Sequence, residues 1–245
     1  MLRVLLGLAL LTTAGVVWSA PTCKKQEHAG RSFTVCTVDI TTDPLRLFLM
    51  DDTGTPLGHF SRVNEALETD GKVLSFAMNA GMYHADRRPV GLYVEHGKQS
   101  QRLITSAGPG NFGLLPNGLL CLQDNRADVI ETLTFDANPL PCRFATQSGP
   151  MLVIDGALHP RFLKDGTSRY VRNGVGTRDN GRTAIFAISD APVTFYEFGT
   201  LFRDILKTPN ALYFDGNISR LYAPSINRND LGFSMGPIIG TTKAK

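Results

Sequence analysis

Past its first thirty residues the chain breaks into short apolar stretches, many of them rich in β-branched residues, and most are closed by a glycine, asparagine or aspartate. Such punctuation leaves room for short strands and tight turns but for few helices. Residues 32–40, 45–50, 73–78, 90–95, 101–104, 112–115, 119–123, 151–154, 157–159, 183–189, 211–214 and 220–223 read as strands. Asn117-Gly118 after Pro116, and Asp155-Gly156, have the residue types that supply the positive φ values of a tight hairpin turn. Helical spacing is clearest over residues 194–207, where Phe195, Phe198, Leu201, Phe202, Ile205 and Leu206 fall on one face. A shorter helix is expected over residues 61–69, with Ser61 as N-cap and Asp70-Gly71 as stop. The sum is a β-rich α+β single domain, built around a mixed sheet with two or three helices.

Residues 1–20 read as a secretory signal peptide: Arg3 gives a basic start, an apolar run follows, and Ser19-Ala20 ends it on small residues. The apolar core is shorter than the ~18 residues of a membrane span, and cleavage is expected near Pro21. The domain then occupies residues 21–245, exported to the periplasm or secreted, with no stable membrane span. Cys23, Cys36, Cys121 and Cys142 are an even set in an oxidising compartment, which implies two disulfides. Four cysteines allow three pairings; Cys23–Cys36 and Cys121–Cys142 are favoured because each closes a short local loop. With 42% hydrophobic and 19% charged residues the chain has material for a full core. A net charge of +3 without a basic run argues against a nucleic-acid partner. Nothing in the sequence speaks to oligomeric state.

Four polar turns follow apolar strands, where a rigid scaffold presents side chains to a ligand. Asn79-Ala80-Gly81 offers an amide and a flexible backbone, with His84 close behind as a candidate proton shuttle. Ser148-Gly149-Pro150 lacks the surroundings of a nucleophilic serine, but its backbone amides could cradle an anion. Arg172, Arg178 and Arg182 sit among glycines and could clamp a phosphate. Asp215-Gly216 ends an apolar strand and places a carboxylate where general acid or base chemistry would want it.

In this order, the four turns resemble the phosphodiester glycosidase family, over roughly residues 73–223. The matching pieces are Asn79-Ala80-Gly81-Met82-Tyr83, Ser148-Gly149-Pro150, Asp155-Gly156, Gly181-Arg182-Thr183-Ala184 and Asp215-Gly216-Asn217-Ile218-Ser219. The resemblance implies hydrolysis of a sugar-1-phosphodiester at the anomeric carbon, releasing a sugar and a phosphomonoester. It implies Asp215 as the acid/base carboxylate, Arg182 as the phosphate clamp and Asn79 as an orienting amide. His84, Ser148, Gly149, Arg172, Gly216 and Ser219 would line the substrate site. The expected partner is a sugar-phosphate or envelope glycan.

No cofactor is expected. A divalent cation is left open, because Asp155, Asp179 and Asp215 could converge. One departure stands out: the family's three glycines after the aspartate become Gly216-Asn217-Ile218. It leaves a second reading, a non-catalytic protein that binds glycans or phosphoglycans in the same cleft.

Overall fold

The structure is a computed structural model, and it describes residues 21–216 and 218–245. The signal peptide expected over residues 1–20 lies outside the described residues, as does Asn217.

Three sheets enclose one core. The largest has seven strands: Thr22–His28 (β1), Arg31–Asp39 (β2), Thr183–Ser189 (β13), Asn173–Arg178 (β12), Asn210–Tyr213 (β14), Met151–Ile154 (β10) and Ala157–Leu158 (β11), in that spatial order. A second runs Arg228–Asn229 (β16), Leu221–Ala223 (β15), Lys72–Asn79 (β4), Ile238–Ala244 (β17) and Arg46–Phe48 (β3). The third runs Lys98–Gln101 (β6), Tyr93–Glu95 (β5), Phe144–Ser148 (β9), Gly118–Gln123 (β7) and Arg126–Glu131 (β8).

The two-residue period of a strand sends alternate side chains to opposite faces, and here both faces are buried. On β13, Ala184, Phe186 and Ile188 enter the central cluster, while Ile185 and Ala187 face a second one. On β4, Phe76 and Met78 point to the centre and Leu74 and Ala77 away from it. On β7 the split is Leu120 and Leu122 against Leu119 and Cys121. Each outer face is closed by a helix. Phe60–Glu68 (α1) covers the second sheet through Phe60, Val63 and Leu67. Thr132–Ala137 (α2) brings Phe135 to the third. Phe195–Thr200 (α3), continued as a π-helix over Leu201–Ile205, lays Phe198, Leu201 and Phe202 on the first. A capping box between Thr194 and Glu197 starts α3.

Every strand pairing among the described residues is antiparallel, so the expected mixed sheet gives way to three antiparallel ones. The helices act as covers and not as crossovers between parallel strands. The Asp155-Gly156 hairpin forms, with φ of 46° and 83°. The one expected at Asn117-Gly118 does not. Asn117 is fully buried, donates to Phe112 O (2.8 Å) and accepts from Thr132 Oγ1 (2.6 Å), and Gly118 opens β7, whose hairpin partner is β8. Residues 112–115 form no strand. Helix α1 starts one residue earlier than expected, with His59 and not Ser61 at the N-cap. Both disulfides pair as expected: Cys23–Cys36 joins β1 to β2, and Cys121–Cys142 ties β7 to the segment before β9.

Candidate active site

The site forms where β4, β12 and β14 end side by side. Asn173, the first residue of β12, is its hub. The register pairs Gly174 with Tyr213, so Asn173 lies level with the Phe214-Asp215 turn. Its Nδ2 donates to Asn79 Oδ1 (2.9 Å) and Asn79 O (3.1 Å). Its Oδ1 accepts from the Asp215 backbone N–H (3.2 Å) and from Asn79 Nδ2 (3.3 Å). Asn79 Oδ1 also accepts from Arg220 N–H (2.9 Å). Ser219 Oγ lies 2.8 Å from Asp215 O, 2.9 Å from Val171 O and 3.3 Å from Asn173 Oδ1, and shares one proton among them. Ser148 Oγ donates to Phe214 O (2.6 Å). Four side chains from separate strands and turns, those of Asn79, Ser148, Asn173 and Ser219, thereby fix the backbone around Asp215.

Beneath that turn sits a buried cation. Arg172 is fully buried, donates from Nε to Val193 O (2.9 Å) and from Nη2 to Ser168 O (3.2 Å), and lies 3.6 Å from the centroid of the Phe195 ring. Tyr170 and Tyr213 flank it at 5.5 and 5.4 Å. Burial pulls its pKa below the usual arginine value, and an arginine still keeps its charge there. Gly216 is glycine for a steric reason: a Cβ would strike the Tyr213 hydroxyl and stand 3.2 Å from Tyr213 Cζ.

Three of the five buried side-chain polar atoms that lack a partner among the described residues belong to this neighbourhood: Tyr83 Oη, Tyr213 Oη and Arg172 Nη1. Each still has a protein group close by, Arg172 and Tyr213 facing one another and the Gly236 N–H facing the Tyr83 hydroxyl, so the cluster is polar, buried and loosely satisfied, a place that a polar ligand could complete. Burial first, and the negative charge of Asp215 second, push the Tyr83 phenol up to about 12. Burial also raises Tyr213, with Asp215 adding to the shift and Arg172 opposing it. Both phenols therefore stay protonated donors.

Several expected roles change. Arg182 lies beyond the other end of β12, in the turn to β13, where it holds Asp39 through Nη2 (3.1 Å) and Nε (3.2 Å) and is largely exposed. Arg172 is the arginine brought to the Asp215 end. Asn79 is fully buried and its amide is committed to Asn173 and Arg220, so it positions the Asp215 turn and does not face a ligand. Ser148 is buried in the same way, and Gly149 is packed against Asn117 Cβ and Phe112 O. His84 is exposed in a turn closed by its own N–H to Arg88 O (2.8 Å); the neighbouring Tyr83 is the one that feels Asp215. Asp155 and Asp179 sit in turns at the Asn210 and Arg178 ends of the strands, across the sheet from Asp215, so the three carboxylates do not converge. Among the described residues no group of three His, Cys, Asp or Glu could hold a metal ion. Sequence reasoning missed Asn173, Tyr83, Tyr213 and Arg220. An asparagine opening a buried strand directly after an arginine was the available signal for Asn173.

An antiparallel scaffold thus holds one carboxylate-bearing turn over a buried cation, with two buried phenols beside it. The chain belongs to the phosphodiester glycosidase family, whose sequence model matches residues 72–234 and so takes in the whole hub. It is 31% identical over 225 residues to the uncharacterised protein YigE of Escherichia coli K12, covering 90% of this chain and 84% of that one. The zebrafish N-acetylglucosamine-1-phosphodiester alpha-N-acetylglucosaminidase catalytic domain shares the fold, with a TM-score of 0.56 at 12% identity over 90% of this chain and 81% of that one. A hypothetical protein from Synechocystis does so at a TM-score of 0.52 and 13% identity, over 91% of this chain but only 61% of its own length.

Proposed function

We propose that this protein is an exported hydrolase that cleaves a sugar-1-phosphodiester at its glycosidic bond. The observation that carries the reading is the cluster of buried, loosely satisfied polar groups around the Asp215 turn, the Tyr83 and Tyr213 phenols with the Arg172 guanidinium beneath. A sugar-phosphodiester supplies what such a place asks for. Its anionic oxygens can accept from Tyr83 and Tyr213, and its negative charge answers Arg172. In the reaction the anomeric C–O bond to phosphate breaks, a water oxygen bonds to the anomeric carbon, and the phosphomonoester leaves with the electron pair. Asp215 is the group to take the proton from that water or to stabilise oxocarbenium-like charge. Phosphate leaves readily, so no strong general acid is needed opposite.

Ile218, one of the two residues that replace family glycines, packs against the cluster under α1. That supports turnover over mere binding, because its bulk is absorbed by the core. Export is supported by the two disulfides, which persist in oxidising compartments. Among the described residues no helix is long and apolar enough to cross a membrane.

The test is mass spectrometry of products formed from a sugar-1-phosphodiester panel in heavy-oxygen water. Heavy oxygen should appear in the released sugar, and Asp215→Asn should lower turnover by about 10²–10⁴-fold. Heavy oxygen in the phosphate, binding without turnover across the panel, or an Asp215→Asn variant of normal activity would each overturn the proposal.

A further inference from the structure

Helix α1 begins without a cap. His59 holds the N-cap position in an extended conformation (φ −138°, ψ 147°), and its side chain makes no capping bond. Among the described residues the amides of Phe60, Ser61 and Arg62 find no acceptor, and the first satisfied one is Val63, bonded to His59 O at 3.1 Å. Three orphan donors at the positive end of a nine-residue helix make an anion-attracting surface.

A separate element supplies the second half. Arg220 reaches the same spot from the start of β15, and its side chain is only 6% exposed. Its backbone N–H is taken by Asn79; among the described residues its guanidinium makes no close ion pair, and the charges that act on it are those of Tyr83 and Asp230. A buried guanidinium without a close counter-charge gains from an anion that reaches it. The backbone of Gly232 lies against its plane, where a Cβ would stand 2.9 Å from Cζ and 3.2 Å from Nε. Arg220, His59, Phe60 and Ser61 line one cavity of about 60 Å³, with Met235 behind them. Asp230 also borders it, but its carboxylate is held by Arg228 Nη2 (2.9 Å) and by the Leu221 N–H (2.9 Å). The space is small and admits a single tetrahedral oxyanion beside the guanidinium.

We propose that Arg220 and the N-terminus of α1 form an oxyanion site for the phosphate group of a phosphomonoester, on the far side of Tyr83 from the Asp215 carboxylate. It does not depend on the hydrolytic reading, because an anion would bind here whatever happens at Asp215.

The test titrates inorganic phosphate into the purified protein at low ionic strength, read by calorimetry and by phosphorus NMR line broadening. Arg220→Gln should weaken binding about tenfold or more, the loss expected for a charge-assisted hydrogen bond. His59→Asp places a carboxylate at the N-cap, where it should satisfy the orphan amides. That variant should melt at a higher temperature and yet no longer bind phosphate, so misfolding is not the cause of the loss. Asp215→Asn should bind phosphate as the wild type does. The proposal fails if the wild type binds no phosphate at about 10 mM, well into the weak range. It fails equally if Arg220→Gln and His59→Asp both bind normally, or if binding disappears with Asp215→Asn instead.

Discussion

Replacing Asn173 by alanine tests whether the Asp215 turn is held by one buried amide. In the wild type that amide meets the Asp215 N–H at 3.2 Å and Asn79 Nδ2 at 3.3 Å, and it donates to two oxygens of Asn79. Asn79 Oδ1 keeps a second donor in Arg220 N–H, so the groups left stranded are chiefly the two N–H donors. A stranded buried group costs about 1–3 kcal/mol. Both bonds are long, which places the total near the low end, at about 2–4 kcal/mol. Against a stability of about 5–15 kcal/mol that is a large fraction. For a domain of this size it corresponds to a fall in Tm of roughly 5–15 °C. Turnover should fall by about 10²-fold, because a carboxylate displaced by an ångström loses its alignment. The assay is thermal and urea unfolding of Asn173→Ala, Asn79→Ala and the double variant, with turnover measured alongside. The two single losses should overlap, with a coupling above about 1 kcal/mol. A coupling below about 0.5 kcal/mol, or a Tm within about 2 °C of wild type, would refute the hub.

Gly216→Ala drives a methyl group into the Tyr213 hydroxyl; it should cost about 1–3 kcal/mol in unfolding measurements and reduce turnover more than Asn173-independent surface changes do. Arg182→Gln breaks only the exposed pair with Asp39, so stability should change by less than about 1 kcal/mol and turnover should be unaffected. Arg172→Gln, by contrast, strands the carbonyls of Val193 and Ser168 and should lower Tm by several degrees. His159 is buried, stacked on Phe162 at 4.8 Å, and burial holds its pKa below the ordinary 6.5. A lowered folded value means that its contribution is present above pH 6.5 and is lost as pH falls below it. A His159→Gln variant should show a flatter decline in Tm between pH 7 and 5 than the wild type, by calorimetry over a pH series, conditions that bracket the roughly 6.5 of an unperturbed histidine.

Strands were the most legible part of the fold, because a buried strand needs only a short β-branched run and a stop. The Asp155-Gly156 turn could be read from its two residues alone. Asn117-Gly118 carries the same kind of signal and folds otherwise, since Thr132 and Phe112 satisfy the Asn117 amide from outside the local sequence. Pairing direction was not legible either: a mixed sheet was expected, and every pairing among the described residues is antiparallel, with α1, α2 and α3 as lids on sheet faces. At the site, Asp215 and Gly216 were visible because a carboxylate and a glycine end an apolar strand. The arginine was misplaced because sequence shows that arginines flank β12 but not which end of it lies beside Asp215. That answer is set by the register of Gly174 on Tyr213. Tyr83 and Tyr213 were not singled out, because nothing local in the sequence shows that their hydroxyls are buried beside Asp215.

Strand β1 is held by its ladder with β2, by Lys25 on Asp190, and by one covalent bond that depends on its surroundings. Its side chains alternate between exposed and half-exposed, so little apolar burial presses it onto β2. Cys23 sits directly opposite Cys36 in the register, and that one bond rivets the outermost strand to the sheet. Without an oxidant the strand is free to peel, and β2, with Phe33 and Val35 behind it, becomes a bare edge open to pairing with any other extended chain. The geography of the cell thus decides whether this sheet has a finished border or a raw one.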